Sequence, residues 1–224
     1  WRLSKTWRMI LDQVYDVGFG TLPLILVISI FTGLVSTVQT VYQIVGPMPK
    51  YILGYTVGRM VLIELGPVLT ALMVTGRCAS SMAAEIGTMR VTEQIDALEV
   101  MAIDPYRFLS LPRIIGTFIA LPMLAVISEA VALVVSAVYA HYFLNIPFSL
   151  YNYGLVHFFF ARDLFGGLIK TVVFSFVIAT AGCYYGFKVQ GGAREVGQAA
   201  TKAVVTASIM ILILDFLVAL VVFG

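Results

Sequence analysis

The sequence is poor in charged residues. Its 224 residues include 14 Lys and Arg and 12 Asp and Glu, so charged residues make up 12% of the chain, about half the fraction usual for a soluble domain. Apolar residues make up 60%. A soluble domain needs more polar surface and a disordered chain carries fewer apolar residues, so both classes are excluded. The net charge of +2 is too small to indicate a nucleic acid as a partner.

The residues and motifs of common active sites are also scarce. Cys78 and Cys183 lie in separate apolar runs, and His141 and His157 are not spaced as a local metal site. The sequence contains neither GxxxxGKS nor GxxxxGKT, no GxSxG and no HExxH. We therefore expect no catalytic residue, cofactor or metal in this chain. An energy-coupled function would need a partner chain or an ion gradient.

Long apolar runs, by contrast, are abundant. A helix needs about 20 mostly apolar residues to cross a bilayer. Five runs are long enough, although charged residues interrupt the second: residues 17–49, 55–84, 114–143, 164–187 and 203–224. The sequence therefore predicts an all-α integral membrane protein, a single transmembrane domain over residues 1–224 with five spans.

The two ends of the chain are predicted to lie on opposite sides of the membrane. Most Lys and Arg residues fall on the side of the N-terminus, which favours a cytoplasmic N-terminus and an external C-terminus. Residues 1–17 repeat apolar side chains at helical spacing and include Trp1 and Trp7, which predicts a helix in the inner membrane interface. The alternative is a plain cytoplasmic helix that leads into span one.

The longest polar stretch lies between spans two and three. Residues 89–104 are predicted to form one amphipathic helix with an apolar stripe that includes Leu98 and an acidic stripe of Glu93, Asp96 and Glu99, ending at Asp104 before Pro105. Such a cytoplasmic helix is suited to docking in a groove of another protein. The alternative is a helix that packs on its own chain or on the membrane surface.

Ionisable residues inside spans are costly, so each needs a partner or a function. Lys170 and Asp215 lie at similar depth, and we predict an ion pair between spans four and five. Glu129 has Arg77 as a candidate partner, or is kept neutral by burial. Glu64 lies toward the outer end of span two, either near a lipid cavity or paired with Arg59.

Several motifs together resemble the MlaE/YrbE permease family, whose members are membrane subunits of ABC transporters that work with MCE-domain proteins. The resemblance covers about residues 14–224. It rests mainly on the run that includes Glu64-Leu65-Gly66-Pro67, Gly76-Arg77, Ala84-Glu85-Ile86-Gly87, Thr92-Glu93-Gln94-Ile95-Asp96 and Asp104-Pro105. Leu111-Pro112-Arg113, Gly191-Gly192-Ala193 and Leu214-Asp215-Phe216 are further matches. Some members have a basic residue directly before the Glu-Leu-Gly-Pro motif, where this chain has Ile63; Arg59, one turn away, would be the substitute cation.

The resemblance implies an ATP-driven lipid transporter with two copies of this permease and two copies of a separate ATPase, which binds the ATP and Mg. It further implies an MCE protein on the far side of the bacterial inner membrane and a glycerophospholipid as the substrate. In that assembly the 89–104 helix would dock on the ATPase through Glu93, Asp96, Leu98, Glu99 and Asp104.

We expect lipid to bind between two protomers, toward the outer leaflet, in a cavity lined by spans one and two. The expected lining residues are Leu34, Thr37, Val38, Val41, Glu64, Leu65, Val68 and Leu72. Gly33 and Thr37 form a small-xxx-small pair that could serve the dimer face. The rival hypothesis is an ATPase-independent secondary transporter or channel, although five spans do not divide into equal inverted repeats. An intramembrane enzyme is opposed by the missing nucleophile and base.

Overall fold

The computed structural model describes residues 2–43 and 49–224, and the helical content expected from the sequence is confirmed. The helices are α1 (Arg2–Gln43), α2 (Ile52–Met60), α3 (Gly66–Val74), α4 (Ser80–Val91), α5 (Gln94–Val100), α6 (Pro105–Leu144), α7 (Phe148–His157), α8 (Ala161–Phe187) and α9 (Ala193–Phe223). Two π-helical turns, Val61–Leu65 and Thr75–Ala79, join α2, α3 and α4 into one long helix, here called span two.

Five helices are long and apolar enough to cross a membrane: Thr6–Gln43, Ile52–Val91, Pro105–Leu144, Ala161–Phe187 and Ala193–Val222. One end of the bundle carries α5 and the turn before α9, and the other carries α7; we call them the α5 end and the α7 end. The chain begins at the α5 end. It finishes at the α7 end, where Arg162 bonds the carbonyl of Val222.

The first helix is longer than its predicted span. The sequence predicts an interfacial helix over residues 1–17 and then a span from residue 17, but the structure has one continuous helix, Arg2–Gln43. Its 42 residues correspond to about 63 Å, roughly twice the thickness of the hydrocarbon core. Trp7 and Phe19 are exposed on it, while residues 1 and 44–48 lie outside the described residues.

Small polar residues join α1 to α6. Ser29 Oγ donates to Ser128 Oγ (2.8 Å), and Thr37 Oγ1 donates to Ser136 Oγ (2.6 Å). A Cβ added to Gly33 would lie 2.3 Å from the Ala132 carbonyl oxygen, so the two backbones touch there. The Gly33–Thr37 pair therefore serves a contact within the chain, and its assignment to a dimer face is wrong.

The remaining helices differ widely in burial. α8 packs against span two, α6 and α9. α9 lies at the edge of the bundle, because 11% of its most apolar stretch is buried, against 33% to 50% in the other four. The segment between α6 and α8 contains α7, which approaches α2 so closely that a Cβ on Gly54 would meet the Tyr151 carbonyl oxygen at 2.3 Å.

The prediction of a single helix over residues 89–104 is wrong. α4 ends at Val91, Glu93 has a left-handed backbone (φ 59°), and the separate helix α5 follows. Ala102 also has a positive φ of 56°, after which Asp104 caps α6 by accepting bonds from the Tyr106 and Arg107 amides. The two left-handed residues redirect the chain, so the polar stretch folds back toward the bundle.

Candidate functional site

Both π-helical turns of span two carry a charged residue, Glu64 in the first and Arg77 in the second. Pro67 explains the first turn, because a proline lacks the amide that would bond the carbonyl one turn earlier. There the Gly66 amide donates to the Val61 carbonyl instead, five residues back. π-turns of this kind are frequent at functional sites because they displace side chains from the regular helical positions.

Glu64, Lys170 and Asp215 form one charge cluster between span two, α8 and α9. Lys170 Nζ donates to Glu64 Oε2 at 2.6 Å and lies 2.7 Å from Asp215 Oδ1. The Asp215 contact is an ion pair that is not aligned as a hydrogen bond. The Lys170 side chain is fully buried, Asp215 is 14% exposed and Glu64 is 46% exposed. One ammonium thus faces two carboxylates, one of which is accessible from outside the protomer.

The cluster contains the ion pair that the sequence predicts and adds a third member to it. Lys170 and Asp215 are brought together as expected, but sequence reasoning did not connect Glu64 to them. The alternative of a Glu64–Arg59 pair is wrong, because Arg59 Nε donates to Asp163 Oδ2 at 2.9 Å and its Nη1 donates to Tyr55 Oη. No sequence signal places Glu64 in the triad, because its bond with Lys170 depends on how span two packs against α8.

The proposed Glu129–Arg77 partnership is also wrong. Arg77 Nη1 donates to the Asp16 carbonyl (2.9 Å) and to Thr21 Oγ1 (2.8 Å), both on α1. Glu129 is 3% exposed and packs against the turn that carries Glu64, since a Cβ on Gly66 would lie 2.5 Å from its Cγ. Glycine at position 66 is therefore required for Glu129 to occupy its place.

The residues expected to line a lipid cavity fall into three groups. Val38 and Val41 are exposed on α1. Leu34, Glu64, Leu65, Val68 and Leu72 are half-buried, and Val68 and Leu72 also pack against the main apolar core. Thr37 is fully buried against α6, so a ligand outside the protomer does not reach it. Val38 and Val41 are thus the most exposed members of the set, and the Glu64 side chain is 46% exposed.

The residues expected to dock a partner lie on and beside α5. Glu93 and Glu99 are exposed, and Asp96 accepts a bond of 2.7 Å from Arg90 on α4. Leu98 packs beside Ile95, which is 2% exposed, in a small apolar cluster with α4, α6 and α8. Asp104 is the cap of α6 described above. The apolar stripe therefore holds α5 on its own chain, and its acidic side chains point outward.

A second ion pair that the sequence did not predict stabilises this end. Arg113 Nη2 on α6 donates to Glu85 Oε2 on α4 at 3.0 Å, and Arg113 Nη1 bonds the Leu109 carbonyl. Among residues 2–43 and 49–224 there is no group of three or more His, Cys, Asp or Glu side chains placed to hold a metal ion.

Comparison with known proteins identifies the family of the chain. The sequence profile of the MlaE permease family matches residues 10–221. The chain belongs to the MlaE permease family. A probable ABC transporter permease protein of Rickettsia felis is 37% identical over 210 residues, covering 94% of this chain and 81% of the relative. A probable ABC transporter permease protein of Synechocystis is 36% identical over 209 residues, covering 93% and 80%.

A plant relative extends the family beyond bacteria. The chloroplastic protein TRIGALACTOSYLDIACYLGLYCEROL 1 of Arabidopsis thaliana is 33% identical over 210 residues, covering 94% of this chain and 60% of the relative. This MlaE-family chain is therefore a multi-pass membrane protein of the ABC transporter permease class.

Proposed function

We propose that this MlaE-family permease is the membrane subunit of an ATP-driven transporter of glycerophospholipids in the bacterial inner membrane. Two copies of the chain assemble with two copies of an ATPase at the α5 end, which faces the cytoplasm. An MCE-domain protein sits at the α7 end and passes lipid toward the outer membrane. ATP and Mg bind to the ATPase, and this chain supplies the lipid pathway.

The observation that carries the proposal is an accessible carboxylate beside an exposed apolar helix face. Glu64 is half-exposed although its partner Lys170 is fully buried, and the turn that carries it contacts α1. On α1, Val38 is 50% exposed and Val41 is 38% exposed. Apolar walls beside a polar group match an amphipathic substrate, whose tails need a dry surface and whose headgroup needs hydrogen bonds.

The plant relative supports the choice of a glycerolipid. That relative is named after trigalactosyldiacylglycerol, a lipid with two acyl chains on glycerol. The same tail chemistry in the substrate of this chain would be accommodated by the exposed valines of α1. Glu64 would act at the headgroup through hydrogen bonding or charge rather than covalent chemistry.

Blocking the pathway tests the lipid site. We expect Val38→Trp to abolish most lipid transfer by the reconstituted transporter while leaving basal ATP hydrolysis largely intact, because the indole fills the cavity between protomers. The matched control is Val126→Trp, which places the same bulk at an exposed position on α6. Equal transfer by wild type and Val38→Trp would rule out the site.

Reversing acidic charges tests the ATPase contact. Glu93→Lys together with Asp96→Lys should release the ATPase or uncouple lipid-stimulated hydrolysis, since each desolvated charge pair broken costs about 2–5 kcal/mol. Asp12→Lys is the control, because Asp12 is an exposed acid on the N-terminal part of α1. An unchanged yield of complex and unchanged lipid-stimulated ATP hydrolysis in the double variant would contradict docking at α5.

A further inference from the structure

A polar cavity of about 290 Å³ opens at the α5 end, far from the Glu64 cluster. Its walls come from α1, from the second π-turn of span two and from the first turns of α4. The polar residues that line it are Gln13, Asp16, Arg77, Ser81 and Glu85. With a water occupying about 30 Å³ in the liquid, this volume has room for roughly ten non-hydrogen atoms.

The Arg77 guanidinium is held in place at this cavity. Its Nη1 donates to the Asp16 carbonyl and to Thr21 Oγ1, which fixes it across α1. A Cβ on Gly20 would lie 2.2 Å from Nη2, so the guanidinium occupies the space that a side chain at position 20 would take. A guanidinium has five N–H donors, and these two bonds use those of Nη1. Three donors remain, on Nη2 and Nε.

The two carboxylates of the cavity differ in how they are engaged. Glu85 accepts bonds from Ser81 Oγ (2.8 Å) and from Arg113 Nη2 (3.0 Å), which balances its charge. Asp16 is exposed, and in the described ranges 2–43 and 49–224 its carboxylate takes part in no ion pair. The cavity thus offers a cation that is held in position, Arg77, and the exposed carboxylate of Asp16.

An exposed apolar track leads from the cavity along α1. Leu24 is 42% exposed, Val27 53% and Phe31 61%, and they follow Gly20 at intervals of three or four residues, on one helix face. Val38 continues the same face two turns later. A ligand with a charged head in the cavity could lay its tails on this track.

We infer that this cavity binds the headgroup of a zwitterionic phospholipid of the phosphatidylethanolamine class in the cytoplasmic leaflet. Arg77 binds the phosphate and Asp16 binds the ammonium. A phosphoethanolamine headgroup has about eight non-hydrogen atoms and fits the volume. The inference rests on the proposed lipid-transport function, and it adds a second lipid site, about 27 Å along α1 from Val38 when measured from Gly20.

The test is photo-crosslinking in vesicles that contain equal amounts of phosphatidylethanolamine and phosphatidylglycerol. One photoreactive residue replaces Ser81 at the cavity, and another replaces Val38 at the outer site. At position 81 we expect capture of phosphatidylethanolamine in preference to phosphatidylglycerol. Arg77→Gln should lower that capture about tenfold, since a charge-assisted bond is lost. Asp16→Asn should remove the preference for phosphatidylethanolamine.

A glycine pair provides the matched control. Gly20→Ala keeps every charge but displaces the guanidinium, and it should lower capture at position 81 about as much as Arg77→Gln. Gly18→Ala adds the same methyl group where nothing lies within 4 Å, and it should behave as the wild type. Capture at position 38 should persist in all four variants, which shows that each of them folds.

The outcomes separate this inference from the proposed function. Capture at position 38 with none at position 81 would overturn the cavity as a lipid site while leaving the lipid transporter standing. Capture at position 81 that is indifferent to Gly20→Ala and Arg77→Gln would overturn the role of the guanidinium, and with it the headgroup site. Capture at neither position would overturn both.

Discussion

At the Val61–Leu65 turn the charge of Glu64 is met by a buried ammonium from α8, whereas at the Thr75–Ala79 turn the charge of Arg77 is met by a backbone carbonyl and a hydroxyl of α1. The first turn faces a fully buried side chain, Lys170. The second faces an open cavity. Two π-helical turns of one helix therefore place charged residues in two different environments.

The difference shows how each charge is used. At the first turn one ammonium serves two carboxylates. Loss of Lys170 leaves both carboxylates without a cation, whereas loss of either carboxylate leaves Lys170 with the other. At the second turn neutral groups position Arg77, and its charge stays available to a ligand. We expect loss of the buried Lys170 beside the first turn to act mainly on stability, and loss of Arg77 at the second turn to act mainly on binding.

The largest effect should come from Lys170→Met. It leaves Glu64 and Asp215 facing one another without a cation, and breaking a buried pair in this way costs about 3–5 kcal/mol. The apparent melting temperature in mild detergent measures the loss. Lys188→Met is the control, because Lys188 lies exposed at the end of the same helix. If both variants have the same melting temperature as the wild type, the cluster contributes nothing to stability.

A double-variant cycle should give the next largest effect. Asp215→Asn alone leaves Lys170 with one carboxylate, while Asp215→Asn with Lys170→Met removes both members of the pair. We expect the double variant to recover part of the loss, with a coupling of about 1–3 kcal/mol between the two positions. Additive losses would exclude the ion pair. Glu64→Gln should cost less than Asp215→Asn, because Glu64 is 46% exposed and Asp215 is 14% exposed.

The sequence could predict only those contacts of the charge cluster that follow from the depth of each residue along its helix. Lys170 and Asp215 could be paired because their distances from the helix ends agree, and the structure brings them together. The place of Glu64 beside them depends on span two packing against α8, and no spacing rule gives that contact. The five spans themselves follow from composition, since a bilayer requires long apolar helices.

The breaks and bends of the helices were less predictable. Thr92 and Glu93 include neither glycine nor proline, yet the chain turns there with a left-handed Glu93. The cause is tertiary, because the turn brings Ile95 into contact with α4, α6 and α8. The opposite error occurs in α1. The sequence predicted a change from an interfacial to a spanning helix at residue 17, but α1 continues through that residue without a break.

At the second turn, Arg77→Gln should have a smaller effect on stability, about 1–2 kcal/mol, because Arg77 is exposed and its bonds to α1 use neutral acceptors. Arg90→Gln is the matched control, since it removes an exposed ion pair with Asp96 that is worth about 0–1 kcal/mol. The melting temperatures of the two variants in the same detergent show which substitution destabilises the protein more. A loss for Arg77→Gln as large as that for Lys170→Met would contradict the distinction between the two turns.

The smallest effect should come from Thr21→Val, which removes one acceptor from Arg77 and leaves the Asp16 carbonyl in place. Thr21 is fully buried and valine has nearly its shape, so the loss is that of the bond from Arg77 and of the weaker 3.7 Å contact with Cys78 Sγ, about 0.5–1.5 kcal/mol. Thr32→Val on the same helix is the control, because its hydroxyl donates to the Ile28 carbonyl of its own helix and links it to no other element. If Thr21→Val lowers the melting temperature no more than Thr32→Val, the hydroxyl of Thr21 does not help to hold Arg77. The Asp16 carbonyl and the space above Gly20 would then be what positions the guanidinium.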